Sequence, residues 1–306
     1  MSKELAVVTP IATNEVITRF TNFLDVAPIT VSAYKSGIKQ FAKYLSFTGI
    51  KNPVRDDVIA FKKELEAKSK KPATIALYIS ALKRFFAWTE SEGIYKNITI
   101  GVKAPKLSRG HKKDCLTGSQ VKSILSGIDK SNIEGLRNYA IMGLMTTCGL
   151  RTVEVTRATI EDLRNVGGVP VLYIQGKGKT EKTDFVKIPD QVEKALREYF
   201  KARGKVSYHE PLFASVSKRN YGQALTTRTI SGVCKNAMLA AGFNSKRLTA
   251  HSLRHTAVTL ALMAGENLAD VQAFARHSSI NTTMIYNHAV NRMTSQCENL
   301  IATSIF

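Results

Sequence analysis

The chain has 306 residues, enough for two ordinary domains, and 44 % of them are hydrophobic, which supports packed cores rather than disorder. Its 44 Lys and Arg against 24 Asp and Glu give a formal net charge of +20, a balance that points to a polyanionic partner. No apolar run approaches the ~18 residues of a membrane span. The opening MSKELAVVTPIATNE is too briefly apolar for a secretory leader. Cys115, Cys148, Cys234 and Cys297 are scattered without metal-ligand spacing and read as reduced thiols of a cytosolic protein.

Residues 1 to about 11 read as a tail. From Thr13 the apolar spacing becomes helical, with Ile17, Phe20 and Leu24 on one face and then Tyr34, Ile38, Phe41 and Leu45 on the next. VRDDVIAFKKELEA predicts a third helix. Pro72 opens a fourth, which carries Ile75, Ile79, Leu82 and Phe86 and ends near Gly93. No strand pattern occurs before residue 100, so residues 12–100 are expected to form an all-helical domain. The stretch 101–114, GVKAPKLSRGHKKD, lacks apolar periodicity and holds Lys103, Lys106, Arg109, Lys112 and Lys113. It reads as a basic interdomain linker, a strap across the backbone of a polyanion rather than a solvated connector.

A second domain, 115–306, opens with Thr117 as helix cap and Gln120 three residues on, the spacing of a capping box. NYAIMGLMTTCGL predicts a long buried helix that Gly149 ends. Arg151 then sits at the break, and Thr152 is placed to cap the next helix. Next the period changes to two. VPVLYIQ and TDFVKIP flank GKGKTEK, so 170–189 reads as a β-hairpin with Lys177, Lys179 and Lys182 in its turn. Helices resume with QVEKALREYFKAR, with RTISGVCKNAMLAAG after a Leu-Thr-Thr cap, and with the run from His251. A further short amphipathic helix with Met293, Cys297, Leu300 and Ile301 is expected in 290–306.

The stretch from His251 to Tyr286 organises the rest. His251 and Arg254 are three apart and share a helix face. His277 follows an apolar-periodic run with Leu268, Val271 and Phe274. Tyr286 lies beyond Ser-Ser-Ile-Asn-Thr-Thr, which predicts the start of another short helix. Such a set can build a phosphate site: the guanidinium binds phosphate oxygens, the imidazoles hold or move protons, and the phenol attacks.

These residues resemble the C-terminal signature of the tyrosine recombinases, the lambda-integrase family: His-x-x-Arg, then His or Trp, then a nucleophilic Tyr, here His251-Ser-Leu-Arg254, His277 and Tyr286. The likeness extends to Arg151 in GLRTVE, with Glu154 at the family's acidic position, and to Lys177 in QGKGKTEK. It departs in Thr-Val-Glu-Val-Thr-Arg after Arg151, which is more polar than the usual run. The resemblance implies a mainly α protein, with a helical core-binding, SAM-like domain before a mostly helical catalytic domain carrying a small antiparallel sheet. It implies a catalytic set of Arg151, Lys177, His251, Arg254, His277 and Tyr286, with Lys179 as understudy to Lys177 and as a DNA contact. It further implies double-stranded DNA sites as partners, a homotetramer exchanging segment 290–306, room for accessory DNA-bending or directionality proteins, and a nucleoid-associated location. No cofactor, metal or ATP is expected, since two guanidinium groups can stabilise the charge of a pentacoordinate phosphate and no paired carboxylates stand ready for Mg²⁺.

Two rivals share parts of the pattern. A type IB topoisomerase is disfavoured by the HSLRHT wording and the N-terminal helical domain, and a non-catalytic DNA-binding regulator by the filled set of catalytic positions. The short stretch ahead of the first helix leaves no room for a lambda-type arm-binding domain. A compact Xer-like resolvase and a mobile-element integrase both stay open.

Overall fold

Local signals start and stop the first four helices. The computed structural model describes residues 13–107, 114–176 and 178–306. Thr13 caps α1 (Asn14–Phe23) by accepting the Val16 amide, 3.2 Å away. Prolines occupy the first positions of α2 (Pro28–Thr48) and α4 (Pro72–Ser91), where a missing N–H is harmless. Between them, α3 (Arg55–Ala67) begins where Asp57 accepts the Val54 amide at 2.7 Å. The apolar stripes meet in one core, where Ile17, Phe20, Ile38, Phe41, Val58, Phe61, Ile79 and Phe86 are all buried. Each side chain of this size contributes about 1.5–3 kcal/mol on burial. Gly37 lets α2 approach α4, since a Cβ there would stand 3.1 Å from that of Ala81. Ile98 and Val102 join this core, and residues 102–107 then run without regular structure.

Contacts divide the chain into two units, parted between residues 108 and 109. The second unit is built round α6 (Ile133–Thr147), whose residues 140–146 are buried on every side. Against it pack α5 (Gly118–Ser126), α8 (Asp190–Arg203), α9 (Thr227–Ala240) and α10 (Ala250–Met263). Thr117 and Gln120 form the reciprocal cap that their spacing predicts, at 3.2 and 2.9 Å. The short α7 (Thr152–Arg157) begins one residue earlier than expected, because Arg151 and not Thr152 takes the cap position.

The hairpin expected over 170–189 is part of a larger sheet. Strands β1 (Leu163–Val166), β2 (Val169–Ile174) and β3 (Asp184–Lys187) pair antiparallel in that order, with Leu163 opposite Leu172 and Leu172 opposite Val186. Leu172, Ile174 and Val186 face the core, while Tyr173 and Phe185 pair on the other face. The chain closes with α11 (Leu268–Ala275), α12 (Ile280–Thr294) and α13 (Cys297–Ile305). Thus the helix after His277 is not short: it holds 15 residues, and Tyr286 lies within it. Among the described residues no helix is long and apolar enough to cross a membrane.

Candidate active site

The junction of α6 and α7 lays the floor of the site. Gly149 has φ +59°, and a Cβ there would meet the Phe274 ring at 3.3 Å, so glycine makes this turn without displacing the ring. Its carbonyl accepts from Arg254 Nη1 at 2.5 Å and from Arg276 Nη2 at 3.2 Å. Two residues on, the Arg151 amide and Nη1 donate to Glu154 at 2.8 and 2.7 Å. Arg276 Nη2 donates to the same carboxylate at 2.9 Å.

Two guanidinium groups therefore bind one carboxylate, and a third, that of Arg254, shares the Gly149 carbonyl with Arg276. Glu154 is 0 % exposed. Burial by itself would raise its pKa, but Arg276 and the Arg151 hydrogen bonds outweigh burial and hold it below the usual range. Arg254, on α10, is 2 % exposed and bonds through Nη2 to the Ala275 carbonyl. Burial, aided by Arg151 and Arg276, lowers its pKa to about 9, so it stays charged at neutral pH. The cluster keeps more positive than negative charge in a cleft of about 610 Å³ lined by Arg151, Lys179, Asp184, Arg276, His277 and Thr282. An anion with several oxygens fits that electrostatic field.

Tyr286 stands beside this cluster on α12 and is 5 % exposed. Its hydroxyl is hydrogen-bonded to His255 Nδ1. Its ring stacks on that of His277, with centroids 6.0 Å apart and planes 17° from parallel. Burial pushes the phenol up to about 12, against the opposing pull of Arg254 and Arg151. The His277 ring is fixed through Nδ1 and the Thr283 hydroxyl at 2.9 Å. His251 stands exposed in the first turn of α10, its ring edge-on to His255 at 4.8 Å.

Five of the six residues expected to act together, Arg151, His251, Arg254, His277 and Tyr286, converge on this part of the second unit. Lys177 lies outside the described residues, as do Arg109, Lys112 and Lys113 of the basic stretch. Lys103 and Lys106 are exposed on the first unit. Lys179 lines the cleft and pairs with Asp184 at 2.8 Å, whereas Lys182 turns away to Asp162 at 2.6 Å. Among the described residues no cluster of His, Cys, Asp and Glu is suited to a metal ion.

Two residues at the site were not singled out by the sequence reading. His255 follows Arg254 directly and lies four after His251, so helical spacing alone put it on the His251 face. Arg276 precedes His277 and adopts φ +52°, left-handed for a non-glycine residue, with its Nε buried and unpaired. The left-handed turn closes α11, of which Arg276 is the C-cap, and brings its side chain back to Glu154.

The Phage integrase family matches residues 114–292, and the phage integrase N-terminal SAM-like domain matches residues 17–93. Tyrosine recombinase XerD of Listeria monocytogenes is 30 % identical over 285 residues, covering 90 % of this chain and 94 % of its own. Tyrosine recombinase XerC of Herpetosiphon aurantiacus is 31 % identical over 270 residues, 86 % of this chain and 85 % of its own. In fold the chain resembles the XerH site-specific recombinase bound to palindromic difH substrate, with TM-score 0.77, 19 % identity and 98 % of each chain covered. It also resembles a lambda integrase dimer bound to a COC′ core site, with TM-score 0.69, 20 % identity, and 87 % of this chain and 95 % of that one covered.

Proposed function

We propose that this chain, which belongs to the phage integrase family, is a site-specific DNA recombinase whose Tyr286 attacks a scissile phosphate and holds the cut strand as a 3′-phosphotyrosyl ester. The observation that carries this reading is the buried Tyr286 hydroxyl set beside two imidazoles and within the field of Arg254 and Arg151. A phosphodiester gathers charge on its nonbridging oxygens as the fifth ligand arrives. Pre-placed guanidinium donors stabilise that charge without reorganising, the service a divalent ion performs in many nucleases. Glu154 holds Arg151 in place, and the turn at Gly149 does the same for Arg254. His277, braced by Thr283, positions the phosphate. By the family resemblance, His251 is the acid/base candidate for the tyrosyl oxygen, and Lys177 protonates the departing 5′ oxygen.

The exchange of one phosphoester for another conserves bond energy, so a 5′ hydroxyl can reverse it with no ATP. A hydroxyl from a partner duplex gives strand exchange. XerH has been solved with difH in pre-cleavage and post-cleavage complexes, and lambda integrase as a tetramer on a Holliday junction. These support the reading that four copies of this chain act on two DNA sites. The helix α13 has no buried residue, and Leu300, Ile301 and Ile305 are exposed, which suits docking on a neighbouring subunit.

The test is a labelled duplex nicked near the scissile phosphate, taken from sequence flanking the gene or from a bound-fragment selection. Wild type in EDTA is expected to give a denaturant-stable adduct, and Tyr286→Phe none. Tight binding of a confirmed site without any adduct from wild type would refute the reaction.

A further inference from the structure

We infer that His255 is a catalytic residue of the strand-cleavage step, accepting the Tyr286 proton through Nδ1. This rests on the reading of Tyr286 as nucleophile and deepens it. A general base must lie within hydrogen-bond reach of the proton it removes. His255 Nδ1 meets that condition in the folded chain, since it is bonded to the Tyr286 hydroxyl. The two rings lie 5.2 Å apart by centroids. Both residues are buried, His255 at 7 % exposure, so the pair is set by packing within α10 and α12 rather than by solvent.

The need for such a base is large at this position. The hydroxyl sits in a pocket that opposes its ionisation, with burial pushing its pKa well above that of a free phenol. Arg254 and Arg151 favour the phenolate but are donors only and cannot take a proton. An imidazole can, and it titrates near neutrality when unperturbed. Nδ1 acts as acceptor when the neutral ring carries its proton on Nε2. The exposed His251 ring stands edge-on to His255, with centroids 4.8 Å apart.

In the cleavage step the Oη–H bond breaks and its proton passes to His255 Nδ1. Oη bonds to phosphorus while the P–O5′ bond breaks. The electron pair of that bond leaves on O5′, which takes a proton from the leaving-group donor. On rejoining, the imidazolium returns its proton to Oη as the 5′ oxygen attacks and the tyrosyl group departs.

The test measures single-turnover adduct formation on the nicked duplex for wild type, His255→Asn, His255→Ala and His251→Ala, with DNA binding measured alongside. Asparagine places an oxygen near the position of Nδ1 and keeps the hydrogen bond, but it cannot hold the proton. Both His255 variants are expected to cleave about a hundredfold more slowly or worse with binding kept. Added imidazole should restore part of the rate to His255→Ala. A 5′-bridging phosphorothiolate, which departs without protonation, should leave the loss in place. Cleavage by His255→Asn at the wild-type rate would overturn the inference, and so would full recovery of either variant on the phosphorothiolate. Wild-type protein supplies a measurement that needs no variant: its ¹⁵N-imidazole spectrum should show His255 protonated on Nε2, and protonation on Nδ1 alone would overturn the assignment. The two readings fail separately. Tyr286-dependent adduct that is indifferent to His255 sinks only this inference, whereas a wild type that never forms adduct on a confirmed site sinks the recombinase reading itself.

Discussion

Replacing Glu154 with glutamine tests whether one carboxylate holds the arginine cluster together. The side chain is fully buried, and both oxygens are engaged: one accepts from Arg151 Nη1 at 2.7 Å, the other from the Arg151 amide at 2.8 Å and Arg276 Nη2 at 2.9 Å. Glutamine keeps the shape but loses the charge, and whichever way its amide turns, an NH₂ faces an N–H donor. Arg151, Arg254 and Arg276 are then left to repel one another without the buried carboxylate that pairs two of them. Breaking a buried pair from one side costs about 3–5 kcal/mol. For a domain of this size, 1 kcal/mol moves the melting temperature by roughly 2–4 °C, so a fall of roughly 6–20 °C is expected in the transition of the second unit.

Scanning calorimetry of wild type and Glu154→Gln reads this directly, and pH supplies a signed control. The folded pKa of Glu154 lies below its ordinary value of 4.5. Its contribution is therefore complete above that value and is lost as pH falls through the lower, folded value. The gap between wild type and variant should close on acidification below 4.5. A variant that melts within about 3 °C of wild type at neutral pH, less than the shift of even a weak buried pair, would refute the argument. A gap that widens in acid would refute it too.

Arg276→Gly sets two effects against each other, since glycine relieves a left-handed backbone worth roughly 1–2 kcal/mol while the ion pair to Glu154 is lost. Glu154 keeps Arg151, so the variant should be less stable than wild type but more stable than Glu154→Gln; urea unfolding that finds it more stable than wild type would show that relief of the backbone outweighs the lost pair. On the first unit, Lys103→Ala and Lys106→Ala should each weaken DNA binding alike across sequences and lower the slope of log affinity against log salt by about 1. An unchanged slope for both would remove them from the DNA interface.

How much of this could be read from the chain depended on whether a partner was near in sequence. The α10 face with His251 and Arg254, the Gly149 break ahead of Arg151, and the Thr117–Gln120 cap are local patterns, and each stands in the structure where its spacing puts it. Strand β1 escaped because Leu163-Arg-Asn-Val166 is four residues long, with Arg164 and Asn165 exposed and Val166 half in solvent, so no apolar alternation marks it. The length of α12 escaped for a different reason. Its buried face is Thr283, Tyr286 and Val290, a helical spacing. Thr283 reads as surface in a polar run, yet it is buried because it braces His277.

The residues missed at the site are those whose meaning is tertiary. Arg276 meets Glu154 across 122 positions of sequence, and Tyr286 meets His255 across 31. No periodicity encodes such pairs, but charge arithmetic constrains them. Buried guanidinium groups require carbonyls or carboxylates, and here the carbonyls of Gly149, Phe274 and Ala275 and a single glutamate serve three of them. A fold that buries cations without neutralising them all keeps a site whose missing charge is an anion. On that argument the same excess that strains the free protein prepares it for a phosphodiester, and binding DNA should raise the melting temperature of the second unit more at low salt than at high.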